Sequence, residues 1–322
     1  MDKLVERESS TRNPLVAAPA LAAQFFLIPL AVVAVTVTVY VGFRSLTSDR
    51  RTPQEYLAEI RAGGLQRQWP AAFELSRLMG DPKVRADRSL APLLVEAFEQ
   101  ARDNDPRVRR YLALALGRLD PPLPPAAVAA LSRSLDEPST TWKPDVFSRL
   151  NGWSDIDINE ARITTIWALG ASGDAGVVPR LLSLYESADA AIRKIVVYAL
   201  GALPGDAQLA TLREALRDSA ADVRWNAAMA LARHGSHDGL QVIRQMLDRQ
   251  HVAQEVTREA RQDQEVDPVA DVIVSGLRAA AVLGDPALRD AVASLSRDDP
   301  SLRVRSAALE ALKAMSPGTG RE

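Results

Sequence analysis

The sequence predicts an all-α protein, a right-handed α-solenoid of about seven helical hairpins preceded by a single transmembrane helix. Three observations carry this. The segments QWPAAFEL, RRYLALAL, RITTIWAL, RKIVVYAL, RWNAAMAL and RSAALEAL align on a closing leucine, at Leu75, Leu116, Leu169, Leu200, Leu231 and Leu312, and a less regular unit ends at Leu283. Leu169, Leu200 and Leu231 follow one another at 31 residues and Leu283 to Leu312 is 29, a period that marks stacked repeats. Ahead of them lies a run of 31 residues without a charge, Asn13 to Phe43.

Residues 1–19 form a tail and residues 20–43 the predicted span. A bilayer core of about 30 Å needs about 20 apolar helical residues, and Ala20 to Phe43 supplies 24 with only Gln24, Thr36 and Thr38 polar. Phe25, Phe26, Tyr40 and Phe43 lie near its ends, where amphipathic rings favour the headgroup layer. The run is too long for a cleaved signal core, and the chain has no cysteine for a lipid anchor or a disulfide framework. Arg44, Arg50, Arg51 and Arg61 follow the span, against Lys3, Arg7 and Arg12 before it. The positive-inside rule then places the large C-terminal part in the cytoplasm. Only five of the 39 basic residues are lysines, a bias of GC-rich bacterial genomes, so the expected location is a bacterial inner membrane.

Residues 44–65 read as a juxtamembrane linker. Thr52-Pro53-Gln54-Glu55 is a capping box with proline at the first helical position, which predicts a helix over Pro53 to Arg61, stopped at Gly63-Gly64, with Tyr56, Leu57 and Ile60 as its apolar stripe. Residues 66–322 hold the solenoid. Ile192, Ile195, Val196, Ala199 and Leu200 show the helical stripe of one unit. Asp105-Pro106 and Asp299-Pro300 are expected helix starts, and Gly117, Gly170, Gly201 and Gly284 are expected left-handed helix ends.

The segment DPRVRRYLALALG, Asp105 to Gly117, with its D-P-x-V-R opening and A-L-G close, resembles HEAT repeats of the bacterial type, and the resemblance extends over Gln66 to Ser316. It implies that the arginine seven residues before the closing leucine pairs with an aspartate of a neighbouring turn. That role falls on Arg109, Arg162, Arg193, Arg224 and Arg305, a structural arginine ladder. Gly276 takes the place in the seventh unit.

Two insertions break the period, near residues 136–156 and 250–266. The first brings in Trp142, Phe147 and Trp153; the rings either fold back as a local core or contact a partner, and they are the candidate partner-contact residues. The second, QHVAQEVTREARQDQEV, reads as a continuation of the helix begun at Leu240, with a solvated charged face.

After residue 43 the chain carries 36 basic and 38 acidic residues. A phosphate-gripping surface would show a basic excess, so no nucleic-acid partner is expected. No serine elbow, phosphate loop or metalloprotease motif occurs, and His234 and His237 with Asp238 are too sparse a set for a metal site. The sequence therefore predicts no catalytic residue, no cofactor and no metal, and a chain that is not an enzyme. The expected function is a membrane-anchored scaffold for protein–protein interactions, an accessory subunit whose partners are membrane proteins or membrane-associated subunits. The alternative, also from the resemblance, is a HEAT-like enzyme of the phycobilin-lyase or DNA-glycosylase kind acting on a ligand in the concave face.

Overall fold

The computed structural model describes residues 30–40, 42, 51–136, 143, 146–150, 152–259 and 267–316. The chain divides into two compact units, Met1–Thr52 and Pro53–Glu322. In the first, α1 covers residues 30–40, and Thr36 and Thr38 return their hydroxyls to the carbonyls of Val32 and Ala34 at 2.8 and 2.7 Å. Among the described residues no helix is long and apolar enough to cross a membrane. The expected spanning helix is thus corrected, and with it the inner-membrane location and its orientation lose their structural basis. Residues 20–29, 41 and 43 of that expectation lie outside the described residues.

The second unit is helical throughout its described length. In chain order it comprises α2 (Pro53–Ala62), α3 (Leu65–Leu78), the single turn α4 (Pro82–Arg85), α5 (Leu90–Gln100), α6 (Pro106–Gly117) and α7 (Pro125–Ser134). There follow α8 (Val146–Leu150), α9 (Trp153–Gly170), α10 (Val178–Leu184), α11 (Ala190–Leu200), α12 (Leu209–Ala215) and α13 (Ala221–Arg233). The chain closes with α14 (Leu240–Met246), α15 (Arg249–Glu259), α16 (Pro268–Leu283), α17 (Arg289–Asp298) and α18 (Leu302–Ala314).

Seven hairpins are present among the described residues: α2 with α3, α5 with α6, α7 with α9, α10 with α11, α12 with α13, α14 with α16 and α17 with α18. The second helices pack in series, α3 on α6, α6 on α9, and onward through α11, α13 and α16 to α18. The first helices form the other layer, and α2 joins it by packing on α3 and α5. This is an α-solenoid, in which each hairpin meets only its neighbours. The core lies between the layers. Leu75, Leu116, Leu169, Leu200 and Leu231 are fully buried there, as are Phe98 and Leu131, whereas Leu283 and Leu312 at the C-terminal end are half-buried.

Proline and aspartate set the helix starts. Asp105 accepts the Arg107 N–H at 3.0 Å and Pro106 opens α6; Asp189 accepts the Ala191 N–H at 2.8 Å ahead of α11. At Asp299-Pro300 the start lies later than expected. The Asp299 carboxylate takes the Ser301 N–H at 2.8 Å and Ser301 is the residue before α18. The second insertion also differs from expectation. Asp248 accepts the N–H groups of Gln250 and His251 at 2.9 and 3.2 Å, which caps a new helix, α15, instead of prolonging α14. Val252 of α15 is fully buried, so this helix packs on the array.

The glycines that end the repeat helices do something other than supply a left-handed residue. Only Gly284 has positive φ, 62°. A Cβ at Gly117 would lie 2.8 Å from Ala168, one at Gly170 2.6 Å from Ala199, and one at Gly201 2.3 Å from Ala230. Each glycine lets one second-layer helix rest directly on the alanine of the next. Gly201 has φ −71°, a conformation open to alanine, so steric contact alone excludes a side chain. At such a position Gly→Ala ordinarily stabilises by about 0.4–1 kcal/mol. For Gly201→Ala the sign should reverse, with a loss of about 1–3 kcal/mol from overpacking, measured by denaturant unfolding; a stabilised variant would contradict the close approach.

Candidate functional site

The arginines at the repeat position show one recurring geometry. Arg193 donates from one guanidinium nitrogen to the carbonyls of Ser187 and Ala188, at 2.9 and 3.0 Å. Arg224 does the same to Asp218 and Ser219, at 2.9 and 3.0 Å, and Arg305 to Asp299 and Pro300. Each thus holds the turn that precedes its own helix. Arg193 also reaches the next repeat, where Nε and Nη2 grip both oxygens of Asp218 at 2.8 and 2.9 Å. That fork holds the Asp218 carboxyl below the usual aspartate range, with the Ala220 N–H adding to the effect and burial opposing it. Tyr185, packed beside the pair, is pushed up to about 12 by burial and then by the charge of Asp218.

In the unit that ends at Leu283 the sequence position holds Gly276, and α15 supplies a substitute. Arg249 places Nε and Nη2 on Asp299, both at 2.8 Å, reproducing the Arg193–Asp218 fork; the Asp299 side chain is 1% exposed. Glu255 of the same helix receives Arg224 at 3.1 Å. No sequence period could have located Arg249, because it belongs to the insertion. Elsewhere Arg109 stacks over the Phe98 ring, its guanidinium carbon 5.1 Å from the centroid. Arg162 is exposed.

An open groove lies on the second-helix layer, across α9, α11, α13 and α16, with a volume of about 360 Å³. Its floor is apolar, formed in part by Trp167, Ile195, Trp225, Met229 and Val272. Tyr198 rises from it. Its charged rim is matched internally, Lys194 with Asp222 at 2.8 Å and Asp271 with Arg303. The sequence reading missed this site because its apolar residues fall at ordinary helical spacing, indistinguishable in sequence from core.

The helix that follows the first insertion, α9, contributes Trp167 to the groove. Trp153 opens α9, which extends the repeat helix towards its N-terminus. Ile156, Glu160, Ile163 and Trp167 fall at i, i+4, i+7 and i+11 on one side of it. Val146, Phe147 and Leu150 of α8 are 67%, 61% and 81% exposed, and Ile156 is exposed as well. Trp142 lies outside the described residues. Below Ile156, Asp157 is raised by burial, with Arg107 the strongest opposing charge, and Arg110 bridges to Glu160 at 3.1 Å.

His237 meets Asp285 at 2.7 Å and His234 lies 3.4 Å from Gln208, so the two histidines serve different neighbours. Among the described residues no group of three metal-ligating side chains converges.

With this architecture in view, comparisons with known proteins bear on the repeats. Residues 157–223 match a model described as HEAT repeats, and residues 223–249 one described as PBS lyase HEAT-like repeat. No curated protein matches the chain. Among solved structures, human deoxyhypusine hydroxylase in complex with glycerol is similar at 20% identity and a TM-score of 0.33, over 82% of this chain and 96% of that one. The expectation of a chain that is not an enzyme is corrected by the second match: the model over residues 223–249 is described as a PBS lyase HEAT-like repeat, so repeats of this type do not argue against catalysis. Over residues 157–249 the chain is thus similar to HEAT and HEAT-like repeats.

Proposed function

We propose that this chain is a HEAT-repeat scaffold that binds a protein partner along the groove of its second-helix layer, with the first insertion as the far end of the same surface. One observation carries the reading. Trp167, Tyr198, Met229 and Val272 line an open groove, and the stripe through Ile163 and Ile156 leads from it to Val146, Phe147 and Leu150, which the fold leaves exposed. Twelve residues of α9, Ile156 to Trp167, span about 16 Å, the reach of three turns of a partner helix. Apolar anchors at i, i+3 and i+4 are how an amphipathic helix seats in such a groove. Phe147, with Trp142 and Trp153, is the aromatic part of the contact, and large aromatics commonly carry interface energy.

Recovery of partners from cells that produce the chain tests this. Met229→Glu with Val272→Glu, and separately Phe147→Ser with Leu150→Ser, should remove protein partners recovered by the wild type while the melting temperature stays within a few degrees. Unchanged recovery in both variants would refute the assignment.

The arginines of the repeats are assigned a structural role: Arg193 and Arg249 link turns of successive repeats through Asp218 and Asp299, and Arg224 and Arg305 hold the turns themselves. Arg162 and Arg109 complete the set by sequence position. Because Asp218 is depressed in the fold, its contribution is present above the ordinary aspartate pKa of about 3.9 and is lost as pH falls through its folded value. Asp218→Asn should cost about 1–3 kcal/mol at pH 7, and the gap to wild type should close below about pH 4. A gap independent of pH, followed by denaturant unfolding, would contradict the ion pair.

A further inference from the structure

Beside the groove stands a cation without a counter-charge. Arg233 closes α13, and its guanidinium carbon lies 5.3 Å from the centroid of the Tyr198 ring. Its Nη2 lies over Gly201, 3.4 Å from where a Cβ would stand, and its Nε faces the Met229 carbonyl at 3.4 Å. Among the described residues no carboxylate pairs with it, although every other charge on the groove rim has a partner. The surrounding protein strips enough water from the guanidinium to hold its pKa below the ordinary arginine value. The ring face of Tyr198 offsets part of that cost. Tyr198 and Met229, which both touch Arg233, are also groove residues, so the cation and the apolar floor present themselves to one ligand.

We infer that the groove selects an acidic amphipathic segment of a partner protein, one that places an Asp or Glu carboxylate on Arg233 and a large apolar side chain, one helical turn away, against Tyr198 and Met229. This rests on reading the groove as a protein-binding surface. The planar fork of arginine donates two parallel hydrogen bonds to a carboxylate, and a docked segment that covers the exposed guanidinium would exclude water and so strengthen the pair. A basic segment would repel Arg233, and a neutral one would bury it uncompensated.

The test uses the full chain and two N-acetylated, C-amidated helical peptides, with Leu and Glu repeating at i and i+4, or with Gln in place of each Glu. Binding is followed by tryptophan fluorescence, since Trp167 and Trp225 lie in the groove, and by calorimetry. The Glu peptide should bind about tenfold more tightly than the Gln peptide, the gain expected of a charge-assisted hydrogen bond. In Arg233→Gln the Glu peptide should fall to the level of the Gln peptide, whose own affinity is unchanged, and Arg233→Lys should keep part of the preference. Equal affinities in the wild type, or a preference that survives in Arg233→Gln, would overturn the role of Arg233 and leave the groove reading standing. If neither peptide binds, or if binding is indifferent to Met229→Glu, the groove reading fails and the inference with it.

Discussion

The contact on which the rest of the structure depends is the bare approach of one second-layer helix to the next. At Gly117, Gly170 and Gly201 there is no room for a methyl group against Ala168, Ala199 and Ala230. Close backbones draw the flanking side chains together, which is why the repeat leucines beside these glycines are fully buried. The hydrophobic effect supplies most of the stabilisation of such a stack, but it is non-directional. The glycine–alanine seats, together with the Arg193–Asp218 fork at the other end of the helices, decide the register in which apolar stripes meet.

Where the array departs from its period, it compensates. The seventh unit has Gly276 in place of arginine, and a Cβ there would press on Met246 at 2.9 Å, so the helix sits too close for a long side chain to leave on that side. The fork to Asp299 is made instead from α15. The second insertion is therefore a structural component of the stack. The first has the opposite character: its apolar residues at Val146, Phe147 and Leu150 remain exposed.

Much of the fold was legible in the sequence because repetition multiplies a weak signal. One apolar stripe is ambiguous, but a stripe recurring with an arginine at fixed phase is not. The helix at Pro53 was legible from local chemistry, since a capping box and two glycines mark its ends. Three things were not legible. The glycine positions read as caps, because a glycine for close approach and a glycine for positive φ are the same letter. Asp248 inside a polar helical run hid the break between α14 and α15. The groove was invisible because Trp167, Tyr198 and Met229 share the spacing of core residues and only the packing of α9 on α11 and α13 shows which side is open.

Both insertions enter between the first and second helix of their hairpins, α7 to α9 and α14 to α16. Those turns all lie along one edge of the stack, the edge where Asp218 and Asp299 receive their arginines. The opposite edge, where one hairpin passes to the next, has connections of at most eleven residues, the longest being Met79 to Ser89 with α4 in it. The longer interruptions thus fall on the edge where Arg193 and Arg249 grip Asp218 and Asp299. The array is thus a ruler with one smooth edge and one variable edge, and changes in what it recognises can be written on the second without rewriting the first.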